Sequence, residues 1–157
     1  MKILVDADAC PVKQIIIWYA RQYKIPVTML TNTSHELHDD YCTNITVDDG
    51  ADSVDYALMG LLKREDIVVT QDHGLAAMVI GKGARALNQN GFIFTNENID
   101  KLLMERHFKQ KMRQSGRRTK GPPKRTKADD ANFAAVFRKM LAEYQIFASS
   151  GNENLNL

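Results

Sequence analysis

Short runs of aliphatic and β-branched residues recur along this chain, and a stretch of helical periodicity follows most of them. Ile3-Leu4-Val5, Val27-Thr28-Met29-Leu30, Ile45-Thr46-Val47 and Ile67-Val68-Val69-Thr70 are each three or four residues long. Unbroken apolar runs of that length fit strands covered on both faces. Between them, Val12, Ile15, Ile16, Tyr19, Ala20 and Tyr23 repeat at helical spacing, as do Val54, Ala57, Leu58, Leu61 and Leu62. Alternating strands and helices define an α/β domain with a mostly parallel sheet. "ARAL" and "FIFT" add two short strands, the second at an edge, and Asn96 or Asn98 caps a helix through Leu102 and Leu103. A C-terminal amphipathic helix is expected over 129–145. Residues 147–157 read as a disordered tail, and 1–146 as a single domain.

The first strand runs directly into charge. In "ILVDADACP", Asp6 and Asp8 follow the apolar run with one alanine between them. Asp72 stands in the same relation to the strand over 67–70. In parallel sheets, ligands collect beyond the carboxyl ends of the strands, where the strand order reverses. If these strands are neighbours, three carboxylates converge on one edge. Asp52 and Asp55 share a face of the helix over 51–63, with Asp55 at the margin of the apolar stripe and Asp52 farther from it. A plainer reading treats each acid as a helix-terminal charge or cap: Asp72 for the helix after "QDHG", Asp8 for the helix after Pro11. One acid suffices for a cap, and Asp6-x-Asp8 supplies two. Clustered carboxylates raise one another's pKa unless a cation joins them. Oxygen ligands of this kind suit one or two Mg²⁺ or Mn²⁺ ions, which serve phosphoryl transfer.

The net charge of +2 conceals an asymmetry. Lys109, Lys111, Arg113, Arg117, Arg118, Lys120, Lys124, Arg125 and Lys127 lie in 19 residues with no acid, while the rest of the chain holds 12 basic residues against all 19 acidic ones. Such a block suggests a polyanion partner, and an arm that holds nucleic acid by its phosphates is expected in preference to a merely solvated linker. The segment has no aromatic residue, so base stacking is not expected from it. Glycine and proline at 116 and 121–123 predict that part of it is irregular.

Other residues carry weaker signals. Thr70, His73 and Lys13 are accessory candidates that can touch a phosphate or orient a ligand, as is Ser34. His35, His38 and His107 read as surface residues, Cys10 as a packing residue, Asn88 as a turn residue, and Trp18 as partly buried against the sheet. The two cysteines, Cys10 and Cys42, have no metal-binding spacing and fit a reducing compartment. No apolar stretch is long enough for a membrane span or signal peptide, so a cytoplasmic location is expected.

The order of acids resembles the PIN-like nuclease superfamily, matched here by Asp6 and Asp8, then Asp52 and Asp55, then Thr70 and Asp72. A closer resemblance, through "VDADACP", "GADSVDYAL", "VVTQDHGLA", "KGARALNQNG", "SGRRTKGPPKRT" and "FAAVFRKML", is to the YaiI/YqxD family of uncharacterised bacterial proteins. It implies a PIN-like three-layer fold with a basic segment and a C-terminal helix. It also implies a metal-dependent nuclease, without supplying a substrate; of the two nucleic acids, RNA is expected as partner in preference to DNA. Catalysis would fall to Asp6, Asp8, Asp55 and Asp72, with Asp52 joining them as a metal ligand. Two alternatives stand beside it. One is a non-catalytic RNA-binding protein that has a PIN-like shell. The other is a haloacid-dehalogenase-type phosphatase, which also begins with strand and Asp-x-Asp; its Gly-Thr or Gly-Val is replaced here by Ala9-Cys10-Pro11.

Overall fold

In the computed structural model, which describes residues 1–32, 39–118, 120–121 and 123–153, the apolar runs become strands of one sheet. The elements in chain order are β1 (Ile3–Asp6), α1 (Lys13–Tyr23), β2 (Val27–Thr31), β3 (Cys42–Thr46), α2 (Ser53–Leu61), β4 (Ile67–Val69), α3 (His73–Gly81), β5 (Arg85–Leu87), β6 (Ile93–Phe94), α4 (Asn96–Gln114) and α5 (Lys127–Glu153). The sheet order is β3-β2-β1-β4-β5-β6. All adjacent pairs are parallel except the edge pair β5–β6.

Strand alternation divides the core into two layers. Ile3, Val5, Val27, Met29, Ile67 and Val69 face one side, where α1 and α5 cover them with Ile16, Ala20, Phe133 and Phe137. Phe133 and Phe137 stack at 5.3 Å between ring centroids and are fully buried. Leu4, Leu30, Val68 and Ala86 face the other side, against α2, α3 and the start of α4. These are the three layers that the alternating pattern requires.

Element boundaries follow local chemistry. Lys24 ends α1 in a left-handed conformation (φ 55°), its N–H donating to Ala20 O and Arg21 O, before Pro26 bars continuation. Thr95 opens α4 through a capping box with Asn98. The third strand lies over 42–46 rather than 45–47 because it pairs along β2 from Val27–Cys42 to Thr31–Thr46. An edge strand needs little apolar sequence to do this. The final helix continues to Glu153, past the expected end near residue 145. Trp18 is 58% exposed rather than set against the sheet, since α1 buries Ile16, Ile17 and Ala20 and turns position 18 outward. Asn88 is a turn residue: its Oδ1 accepts from the N–H groups of Asn90 and Phe92 at 2.9 and 3.0 Å. Among the described residues no helix is long and apolar enough to cross a membrane.

Candidate functional site

The strand order reverses between β1 and β4, which are parallel neighbours, so the residues leaving their carboxyl ends meet. Alternation sends Asp6 to the Leu4 face and Thr70 to the Val68 face, both toward α2, α3 and α4. Buried Thr70 donates from Oγ1 to Asp6 Oδ2 at 2.8 Å and accepts from the Asp72 N–H at 3.0 Å. One hydroxyl therefore ties the end of β1 to the start of the loop after β4.

Asp8 is held from the opposite neighbour. Thr31, at the end of β2, donates from Oγ1 to Asp8 Oδ1, and the Asn32 N–H donates to Oδ2 at 3.0 Å. Asp8 is not the cap of α1; Val12 occupies that position and no side chain bonds there. Between them Ala9 has φ 54°, a left-handed conformation costing a Cβ-bearing residue on the order of 1 kcal/mol. Gln71 Nε2 donates to the Ala9 carbonyl at 3.0 Å and pins that turn.

Asp72 does act as a cap. Its Oδ1 accepts from the Gly74 and Leu75 N–H groups at 2.8 and 3.2 Å, and from Arg106 Nη1 at 3.2 Å. Asp55 lies in the first turn of α2, half-buried as its margin position predicts, while Asp52 is exposed. No described residue hydrogen-bonds the Asp55 carboxylate.

The charges act on one another. Burial raises the Asp55 pKa, the negative charges of Asp72, Asp6 and Asp52 add to it, and Arg106 opposes them, leaving it at about 6. Burial also raises the Asp6 pKa; the Thr70 hydrogen bond opposes this, and Asp72 and Asp8 reinforce it. Carboxylates from the β1 loop, α2 and α3 thus share one electrostatic neighbourhood. As they lie, no three acid, histidine or cysteine side chains among the described residues close around a single ion.

Asp6, Asp8 and Asp72 lie in a cleft of about 710 Å³ whose opposite wall is the Arg106, Lys109 and Arg113 face of α4. The basic segment is therefore not one arm. Its first part is helical and joins the acidic site, and Lys111 shares that helix on an exposed face. Arg117, Arg118, Lys120, Lys124 and Lys127 are exposed. Arg125 is tied down: it donates to Asp130 Oδ1 at 2.8 Å, Asn90 Oδ1 at 2.6 Å and the Gln89 carbonyl at 2.7 Å. His73, first in α3, lines the cleft and meets Phe94 edge-on at 5.7 Å. Lys13 opens α1, where its charge acts on the Cys10 thiol, whose pKa burial raises. A raised thiol pKa agrees with packing rather than reactivity. Ser34, His35 and His38 lie outside the described residues.

Sequence reasoning missed Thr31 and Arg106. The signal for Arg106 was present, because Leu102, Glu105, Arg106, Lys109, Gln110 and Arg113 repeat at helical spacing and form one face. Thr31 had no such signal; only the pairing of β1 with β2 sets it opposite the Asp8 loop.

Fold and site together define an α/β domain of doubly wound strand order with an acidic centre at the switch point and a basic helix beside it. A family model described as "Uncharacterized BCR, YaiI/YqxD family" matches residues 4–143, and the chain belongs to that family. Similar proteins include a UPF0178 protein of Ruminiclostridium cellulolyticum, 59% identical over 133 residues that cover 85% of this chain and 87% of the relative. A UPF0178 protein of Clostridium acetobutylicum is 50% identical over 143 residues, covering 90% and 97%. One from Bacillus cereus is 48% identical over 145 residues, covering 90% and 99%. No solved structure matches the chain.

Proposed function

We propose that this protein hydrolyses phosphodiester bonds of nucleic acid with the help of a divalent metal ion bound by Asp6, Asp8, Asp55 and Asp72. The observation that carries this reading is the electrostatic crowding at the switch point: burial first, and then aspartates from three separate segments, raise the pKa of Asp55 and Asp6 beside a wall of arginine and lysine. A fold gains nothing in stability from such crowding unless a cation or a proton relieves it. The donor set fits a hard ion such as Mg²⁺ or Mn²⁺, being all carboxylate oxygen, with Asp55 accepting no hydrogen bond from the described residues. When bound, such an ion supplies Lewis-acid polarisation of a phosphoryl group and offsets charge developing in the transition state.

The remaining work belongs to the chain. Thr70 and Thr31 hold Asp6 and Asp8 in fixed rotamers. Arg106 and Lys109 can take phosphate oxygens, Arg106 from its position against Asp72. Binding without hydrolysis is the second reading. It is favoured by Asp72, whose Oδ1 already accepts three donors.

Purified protein with labelled single-stranded oligonucleotides, in Mn²⁺ and in chelator, decides between them. Hydrolysis predicts Mn²⁺-dependent cleavage, reduced about 10²- to 10³-fold by Asp6→Asn, and a melting temperature that rises with Mn²⁺. A strand that is bound but left uncut, with melting indifferent to Mn²⁺, leaves the binding reading. Equal cleavage by Asp6→Asn rejects the assignment of the site.

A further inference from the structure

The acidic cleft does not stop at His73 and Leu102. Both side chains also line a second groove of about 520 Å³, bounded by the β5–β6 turn and the start of α5. The groove is built from amides with one end anchored. Asn88 uses Oδ1 on the N–H groups of its own turn, and no described residue accepts from its Nδ2. Asn90 Oδ1 accepts from Arg125, and its Nδ2 likewise has no acceptor among the described residues. Asn132 Nδ2 donates to the Asn90 carbonyl at 2.6 Å, leaving Oδ1 without a donor among them. Fixed donors and a fixed acceptor therefore share one groove with an aromatic ring.

That ring is Phe92, 42% exposed and braced edge-on at 5.5 Å by buried Phe94. The turn beside it packs tightly on α5. Gly91 has φ 80°, and a Cβ there would stand 3.0 Å from the Asn132 carbonyl. A rigid apolar ring flanked by amide donors and an acceptor is the chemistry that takes a nucleobase, by its face and its hydrogen-bonding edge. The volume is of the size that holds one small ligand.

We propose that this groove receives the nucleobase of a nucleotide whose neighbouring phosphate lies in the acidic cleft, so that the bound strand is single at that point. The assignment of the cleft to a phosphate rests on the hydrolytic reading above; the base site itself does not. The basic helix contributes phosphate contacts, and stacking comes from Phe92 at the β5–β6 turn, a few residues before that helix begins.

The test is anisotropy of labelled single-stranded oligonucleotides in chelator, so that binding is read without cleavage. Phe92→Ala is expected to weaken binding about tenfold, the scale of one lost stacked base. Its salt dependence should not change, because no charge is removed. Phe92→Tyr should retain wild-type affinity. A strand of abasic sugar-phosphate should bind wild type and Phe92→Ala alike, and a duplex of equal length should bind less well than the single strand. Wild-type affinity in Phe92→Ala, or an equal loss for the abasic strand, overturns the proposal. A nucleoside monophosphate that binds as tightly as the strand assigns the groove to free nucleotide and overturns the strand. The two readings fail separately. Absent cleavage with a tenfold Phe92→Ala effect removes the hydrolysis and keeps the base site; intact cleavage with a silent Phe92→Ala removes only the base site.

Discussion

The two ends of the β1–β4 pair treat aspartate in opposite ways. At the amino end Asp66 is 1% exposed and fully served: Lys2 Nζ donates to it at 2.6 Å, the Lys63 N–H at 2.7 Å and the Lys2 N–H at 2.9 Å. Burial alone would raise its pKa, but the Lys2 side chain and the two amides outweigh burial and hold it below the usual carboxylate range. At the carboxyl end Asp6 and Asp55 are raised by burial and by other aspartates, with partial relief from Thr70 and Arg106. The same residue type thus fastens the fold at one end of this strand pair and, from β1 and the neighbouring α2, gathers uncompensated charge at the other. Asp66 comes with its donors, whereas the Asp55 carboxylate has none among the described residues.

The largest expected effect tests the fastened end. Asp66→Ala leaves the Lys2 ammonium and two amides without their acceptor and should lower stability by about 3 kcal/mol, read by urea denaturation. Asp6→Asn should leave stability in chelator unchanged or raised. If Asp6→Asn is as damaging as Asp66→Ala, the two ends do not differ and the contrast is broken.

Next is the hydroxyl between the strands. Thr70→Val removes the donor to Asp6 and the acceptor for the Asp72 N–H. A supporting contact of this kind is expected to cost about tenfold in hydrolysis, with Thr70→Ser recovering most of it. Recovery by valine itself would reduce Thr70 to packing.

The smallest effect is a slope. A raised folded-state pKa means the native protein keeps the Asp55 proton after the unfolded chain has released it. Stability should therefore fall as pH rises from about 4 to about 6. Solvent screening at this half-exposed site limits the loss to about 1 kcal/mol. Asp66 has the opposite sign: its lowered pKa gives stability present above the ordinary carboxylate pKa and lost as pH falls below it. Thermal melts in chelator from pH 3 to 7 should show Asp55→Asn flattening the upper limb alone. A flat wild-type curve between pH 4 and 6 contradicts the crowding.

Much of this is legible in the sequence. The apolar runs gave the strands and put Asp6 at the end of the first; the side on which it emerges came only with the packing of Leu4 against α2 and α3. Helical spacing placed Asp55 at the margin and Asp52 in solvent. The basic segment was harder, because charge is visible in sequence and partnership is not. Lys109 and Arg113 belong to a cleft wall, while Arg125 belongs to a clamp on the β5–β6 turn. Phe92 looked like an edge-strand residue until that turn set it beside Asn132 on α5.

The chain by itself determined the α/β alternation, the acids at the strand ends and the block of positive charge, because each is a matter of local period or composition. Tertiary structure alone decided which ends meet. Strand order brought Thr31 to Asp8 and Thr70 to Asp6, and helix packing brought Arg106 to Asp72. Those partners are 23, 64 and 34 residues apart along the chain, a separation that no local pattern records and that only the burial of a shared core closes.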